Sequence, residues 1–199
     1  KNQLKESKIG KKVLIKILGS PRFIKKRMIK KNIEREKNIL VIPEGIMSEI
    51  KILFNFSLKC SEAFPEINFI WRLHPLFSFK MLTKLNIIKK NKPKNIEYSN
   101  LILSEDLKRC NFVLYRGSSA VIQSVMYGLI PLYLSRENEM TIDPLFDLKI
   151  WKTSIKTINE FNDACYKVHY DIGDQIKAQG YSENFFAPLN FEAILNLLN

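Results

Sequence analysis

The sequence lacks several features that would have settled its class at once. It has no run of about 18 uncharged apolar residues, the length a bilayer-spanning helix needs. The longest candidate, residues 120–134, falls short of that and is broken by Gly128 and Pro131. No spanning helix is therefore expected. Cysteine is scarce: Cys60, Cys110 and Cys165 stand far apart, with neither metal-ligand nor redox spacing. They are expected to be buried free thiols of a reducing compartment. Zinc-finger spacing, an RNP-like motif and Arg-aromatic interleaving are all missing, so little points to nucleic acid. No internal repeat or low-complexity tract is present. The first residue is Lys, no signal-peptide pattern follows it, and the chain is read as a piece of a longer protein.

Acidic residues are also scarce, but in one region. Residues 1–37 hold 14 Lys+Arg against 3 Asp+Glu, and the rest of the chain holds 18 against 17. The net charge of +12 thus belongs mostly to a basic leader. The remainder is a nearly neutral domain, and a hydrophobic content of 46% gives it a core. The leader includes "RFIKKRMIKKNIEREK", residues 22–37. Such a segment reads as a solvated connector, or as a surface for anionic lipid.

What is present is a regular alternation. "KVLIKIL" (12–18) reads as a strand that "GSPR" ends. "ILVI" (39–42) is a wholly apolar strand. Ser48 is placed to cap a helix running to about residue 63, with Ile50, Leu53, Phe54, Phe56 and Leu58 as its apolar side. "INFIWRL" (67–73) is the next strand, closed by His74-Pro75. A helix is expected over 77–88 and a short strand over 95–98. Ser104, Glu105 and Asp106 then open another helix. "NFVLY" (111–115), a helix over 119–127 ending at Gly128, and "IPLYL" (130–134) complete the regular part. Helices near 158–170 and 191–198, the latter capped by Asn190, follow. Apolar strands alternating with helices predict an α/β fold: a Rossmann-like parallel sheet with helices on both faces.

In such a sheet, ligands bind beyond the carboxyl ends of the strands. Four loops fall there. They are Pro43-Glu44-Gly45, Arg72 to Pro75 with His74 between, Arg116-Gly117-Ser118-Ser119, and "SRENE" (135–139) with Glu137 and Glu139. Gly117-Ser118-Ser119 has a clear physical use. A helix start offers unpaired N–H groups, glycine lets backbone come close, and two hydroxyls add donors. Arg116 adds a charge-assisted bond. The ligand such a turn suits is a phosphate; plain helix capping by Ser uses the same residues. It is neither a P-loop, since no Lys follows, nor a dinucleotide fingerprint, with one glycine where three are needed. Pro75 holds His74 extended at the sheet edge, where its imidazole can donate to a phosphate or ribose oxygen. Glu44 beside Gly45, Arg72, and Glu137 are candidates for the nucleoside side.

"ILVIPEG", "FIWRLHP" and "VLYRGSSAVIQSVMYGLIPLYL" together resemble the carboxy-terminal half of GT-B glycosyltransferases. The nearest likeness is to bacterial surface-polysaccharide enzymes, namely polysialyl- and sialyltransferase-like proteins and CDP-glycerol polymerases. In that family a His-Pro pair and a later Ser-Ser pair bind the donor's nucleotide phosphate; His74-Pro75 and Ser118-Ser119 match them. The resemblance covers most of residues 13–199, with "ILGSPRF" (17–23) like the end of an amino-terminal domain and "ENFFAPLNFEAILNLL" like the closing helix. It implies residues 1–37 as leader and domain end, and 38–199 as a nucleotide-sugar-binding domain. It further implies an inverting, metal-independent transfer with no cofactor, and a CMP- or CDP-linked donor in preference to a UDP-linked one. The acceptor would be a glycan or lipid-linked glycan, and the location cytoplasmic, peripheral at the inner membrane through residues 22–37. The family's catalytic acid belongs to the amino-terminal half, so no residue here takes the role of base from the resemblance. Two alternatives stand beside this reading: a nucleotide-sugar epimerase of the same fold, and a non-enzymatic basic α/β module for membrane or nucleic acid.

Overall fold

The computed structural model describes residues 16–22, 27–30, 37–86, 88, 91–167 and 171–198. Most of the expected strand over 12–18, and much of the basic segment 22–37, lie outside them. Residues 16–18, which are described, form no strand.

Six short strands make one sheet: β1 (Asn38–Ile42), β2 (Asn68–Trp71), β3 (Ile96–Tyr98), β4 (Phe112–Tyr115), β5 (Ile130–Leu134) and β6 (Thr153–Ile155). Their order is β3-β2-β1-β4-β5-β6, and every adjacent pair is parallel. Leu40, at the middle of the sheet, faces Ile70 on one neighbour and Val113 on the other. The central strands read as continuous apolar runs because both faces are covered: Ile39, Leu40, Val41, Phe112, Val113 and Leu114 are fully buried. Removing each such side chain from water contributes about 1.5–3 kcal/mol before the entropy of ordering it.

The helices are α1 (Met47–Ala63), α2 (Phe79–Lys84), α3 (Leu103–Arg109), α4 (Ala120–Met126), α5 (Ile158–Tyr166), α6 (Ile172–Glu183) and α7 (Phe191–Leu198). α1 buries Ile50, Leu53 and Phe54, and its Phe54 ring stacks on Trp71 of β2 at 4.2 Å. Two expected caps are corrected. The cap position of α1 is Ile46, and Ser48 lies inside the first turn. The cap position of α3 is Ile102, so Ser104 lies inside the helix; the acidic first turn of Glu105 and Asp106 is as expected, with Asp106 wholly buried. Elsewhere side chains cap as their chemistry dictates. Thr157, Asp171 and Asn190 accept from backbone N–H groups at the starts of α5, α6 and α7. β6 and α6 are additions to the sequence reading.

The described parts of the leader pack on this domain. Met28 N donates to Met126 O at 2.9 Å, and Gln179 Nε2 donates to Met28 O at 2.8 Å. Arg27 pairs with Glu183, Lys30 donates to Lys108 O, and the Lys37 ammonium lies over the Phe112 and Tyr166 rings. Arg27, Lys30 and Lys37 thus each contact the domain, with Arg27 still exposed at its surface. No helix among the described residues is long and apolar enough to cross a membrane. All three cysteines are free and buried. Burial pushes the Cys110 and Cys165 thiols up to about 12.

Candidate functional site

The strand order fixes where a site belongs. The chain builds outward from β1 to β3, then returns across the sheet to add β4 on β1's other side. Loops leaving β1 and β4 therefore diverge, and a crevice opens between them at their carboxyl ends. A cavity of about 430 Å³ fills that crevice. Its walls include Pro43, Glu44 and Gly45 after β1, Arg72, His74 and Pro75 after β2, and Gly117, Ser118 and Ser119 after β4.

The loops fit one another closely. A methyl group on Gly45 would lie 3.2 Å from the His74 imidazole, so the ring rests directly on that glycine's backbone. A methyl group on Gly117 would lie 2.5–2.7 Å from the Glu44 carboxyl atoms. Leu76 N donates to His74 Nδ1 at 3.4 Å, which leaves Nε2 as the ring's donor in the neutral tautomer. Ser119 occupies the cap position of α4 yet makes no side-chain capping bond. Its Oγ instead accepts from Arg22 Nη1 at 2.6 Å. The capping use of this serine is thus absent, and its hydroxyl faces the cavity. α4 has only seven residues, so the case for an anion rests on these side chains more than on a long helix dipole.

Glu44 is the carboxylic acid among the cavity-lining residues. Burial raises its pKa, the negative charge of Glu49 raises it further, and Arg116 pulls the other way.

Two expected site residues are placed elsewhere. Arg116 is 3% exposed and its guanidinium is fully engaged: Nε donates to Glu49, Nη2 to Glu139 at 2.7 Å and Nη1 to Leu134 O at 3.0 Å. Burial opposes its charge and the two carboxylates more than offset that, so its pKa is raised. It is held beneath the turn by these bonds and is not among the residues that line the cavity. The reason is sequence alternation: Arg116 is one position before the glycine and points into the sheet margin. Glu137 pairs with Lys156 at the surface, away from the cavity. Arg72 does line the cavity, but its Nη1 donates to Asp106 Oδ2 at 2.9 Å and to Leu101 O. The lining residues that were not candidates from the sequence include Arg22, Leu103 and Gln123. Gln123 follows Ser119 by four positions on α4, a spacing that places both on one helix face. Arg22 is 97 positions from Ser119, and no local pattern joins them.

No protein-family model and no curated protein matches the chain. Solved structures do. The glycotransferase of kitacinnamycin superposes with a TM-score of 0.54 at 13% identity, over 83% of this chain and 44% of that one. S. aureus MnaA, in a co-structure with UDP, superposes with 0.50 at 14% identity, over 84% and 45%. The calicheamicin glycosyltransferase superposes with 0.50 at 13% identity, over 76% and 38%. The chain therefore spans less than half the length of each of these proteins. The likeness is one of fold: the Rossmann-like half of a GT-B architecture.

Proposed function

We propose that this chain is the donor-nucleotide-binding half of a glycosyltransferase that builds a bacterial surface polysaccharide. One observation carries the reading. The Gly117-Ser118-Ser119 turn, His74 and Glu44 converge on a single cavity at the point where the sheet order reverses. Two of the superposed structures are named as glycosyltransferases, and a third was solved with UDP. Those names support the reading, and the sequence resemblance adds the surface-polysaccharide class and a CMP- or CDP-linked donor.

The cavity's chemistry suits the step. The acceptor hydroxyl attacks the anomeric carbon of the sugar. The bond from that carbon to the phosphate oxygen breaks, and the nucleotide leaves with the electron pair. Negative charge grows on the phosphate, where Ser118, Ser119 and the His74 N–H are held ready to donate. Donors already oriented need no reorganisation when the charge appears, which is why such preorganised groups lower barriers. The acceptor's proton needs a base. The resemblance places that base in the amino-terminal half; Glu44 touches Gly117 of the turn that would hold the departing phosphate, the face opposite to the attacking hydroxyl, and takes no part as base.

Calorimetric titration of the folded chain with CMP, CDP, UDP and ADP tests the reading. Heat of binding with a pyrimidine nucleotide is expected, with ADP binding more weakly. No heat with any of the four sinks it.

A further inference from the structure

We infer that Arg22 is the phosphate-binding cation of the cavity, and that the chain's own C-terminal stretch holds it there. This rests on the nucleotide reading above and adds a residue and a device to it.

Charge accounting comes first. A phosphate entering the cavity meets one carboxylate, Glu44, and needs a positive partner. Arg116 is engaged by Glu49 and Glu139. Arg72 is engaged by Asp106, whose side chain is fully buried. Arg22 lines the cavity too, and its guanidinium bonds a neutral hydroxyl, Ser119 Oγ, at 2.6 Å. No carboxylate among the described residues pairs with it. A guanidinium left to a neutral acceptor keeps its charge available, and its planar fork suits two oxygens of one phosphate. Ser119 and Arg22 already touch, so an oxygen that accepts from one is within reach of the other.

Delivery comes second. The strands and helices described above do not carry Arg22. It sits at the end of a turn whose shape is set from outside the sheet. Arg22 N donates to Ser20 Oγ at 3.1 Å. Ser20 N donates to Ala187 O at 2.9 Å, and Asn190 N donates to Leu18 O at 2.8 Å. Gly19 lies between these bonds with φ of +82°, and a methyl group there would sit 1.9 Å from Pro188 O. Both the dihedral and the contact call for glycine. The stretch 18–20 is thus laced to 187–190, and Arg22 is aimed at Ser119 by a contact between two distant parts of the sequence.

The test compares the wild-type chain with Arg22→Ala, Arg22→Lys, Gly19→Ala and the Gly19→Ala/Arg22→Ala double variant. CDP and UDP are titrated, with cytidine and uridine as phosphate-free controls. Arg22→Ala is expected to weaken nucleotide binding by about tenfold or more, with the nucleosides unaffected and Lys recovering part of the loss. The salt dependence of nucleotide binding should flatten in the same variant. Gly19→Ala is expected to reproduce the loss in the protein that keeps Arg22 and to add nothing when Arg22 is already Ala. If Gly19→Ala does not fold, Ser20→Ala, which removes only the hydroxyl that accepts from Arg22 N, carries the same comparison with a smaller loss. Nucleotide binding that is unchanged in Arg22→Ala overturns this inference and leaves the nucleotide reading standing. Absence of nucleotide binding in the wild type removes both. Additive losses from Gly19→Ala and Arg22→Ala overturn the claim that the lacing acts through Arg22.

Discussion

The Glu44 carboxylate occupies the space that a methyl group on Gly117 would need, 2.5 Å from where that carbon would lie. The loops after β1 and β4 are therefore in mutual contact at the crevice, and a change in one is felt in the other. Gly117→Ala must push the carboxylate aside. Because the far end of a flexible side chain gives way, the fold should survive with a loss of about 1 kcal/mol or less. The methyl group also stands where the proposed phosphate would approach backbone. Nucleotide affinity is expected to fall by about tenfold, or 1.4 kcal/mol, in calorimetry, while the thermal midpoint moves little. A large stability loss with unchanged affinity would make Gly117 a folding residue.

The proposed phosphate donors give the second expectation. Ser118→Ala with Ser119→Ala should weaken nucleotide binding by more than about tenfold, and His74→Ala should weaken it by a smaller factor, each measured against the nucleoside. Neither serine caps α4 in a way whose loss would unfold it, since Ser119 makes no capping bond. Unfolding midpoints near that of the wild type are therefore expected for the serine variant.

Glu44→Gln tests the charge balance of the cavity. Nucleotide affinity in calorimetry should hold or improve, by up to about tenfold, because a negative charge beside the proposed phosphate is gone. A loss of affinity would make Glu44 a ligand of the nucleotide itself.

The same residue makes a pH prediction for stability. Its pKa is raised above the ordinary 4.5, chiefly by burial and then by Glu49. Well below 4.5, folded and unfolded chains both hold the proton and no difference arises. As pH rises from there toward the raised value, the unfolded chain gives up the proton first, so it binds fewer protons than the native state and stability falls. Urea unfolding at stepped pH should show wild type losing ground to Glu44→Gln across that window, then running parallel above it. A gain of wild type over the variant with rising pH would contradict the burial-driven shift.

Arg116→Met distinguishes strut from ligand. The guanidinium is nearly fully buried and holds Glu49, Glu139 and Leu134 O. Its removal strands the partly buried Glu49, and about 2 kcal/mol of stability should go. Nucleotide affinity in the folded fraction should change by less than about twofold. A loss of affinity as large as that of the serine variant would restore Arg116 to the phosphate site.

The central sheet was legible in the sequence because burial on both faces writes itself as uninterrupted apolar runs: "ILVI", "NFVLY" and "IPLYL" all became strands. The crevice was legible because the loops at strand ends are where polar residues must gather, and Glu44, Gly45, His74, Pro75, Gly117, Ser118 and Ser119 share one cavity. β6 was missed because three residues with one buried side chain carry no periodic signal. α6 was missed because its buried face is largely polar, with Gln175, Gln179 and Ser182 where a periodic apolar stripe would be sought. Arg116 misled because its neighbour in sequence, Gly117, faces the cavity while its partners, Glu49 and Glu139, come from elsewhere. Arg22 was hidden for the opposite reason: Ser119, which its guanidinium meets, and 187–190, which hold 18–20, are remote in sequence.

Asp106 has a last consequence. Its single carboxyl, wholly buried, accepts from Ser99 beyond β3, from Arg72 beyond β2 and from Arg109 on its own helix. β3 is an edge strand of three residues, a length that would ordinarily fray on its own. Tied through one shared acceptor to the neighbouring strand end, it has no cheap way to open without exposing an ion the rest of the network needs. Amide hydrogens of β3 should therefore exchange only when those of β2 do, as one cooperative unit. Asp106→Asn should split that unit in two, with the outer strand exchanging first.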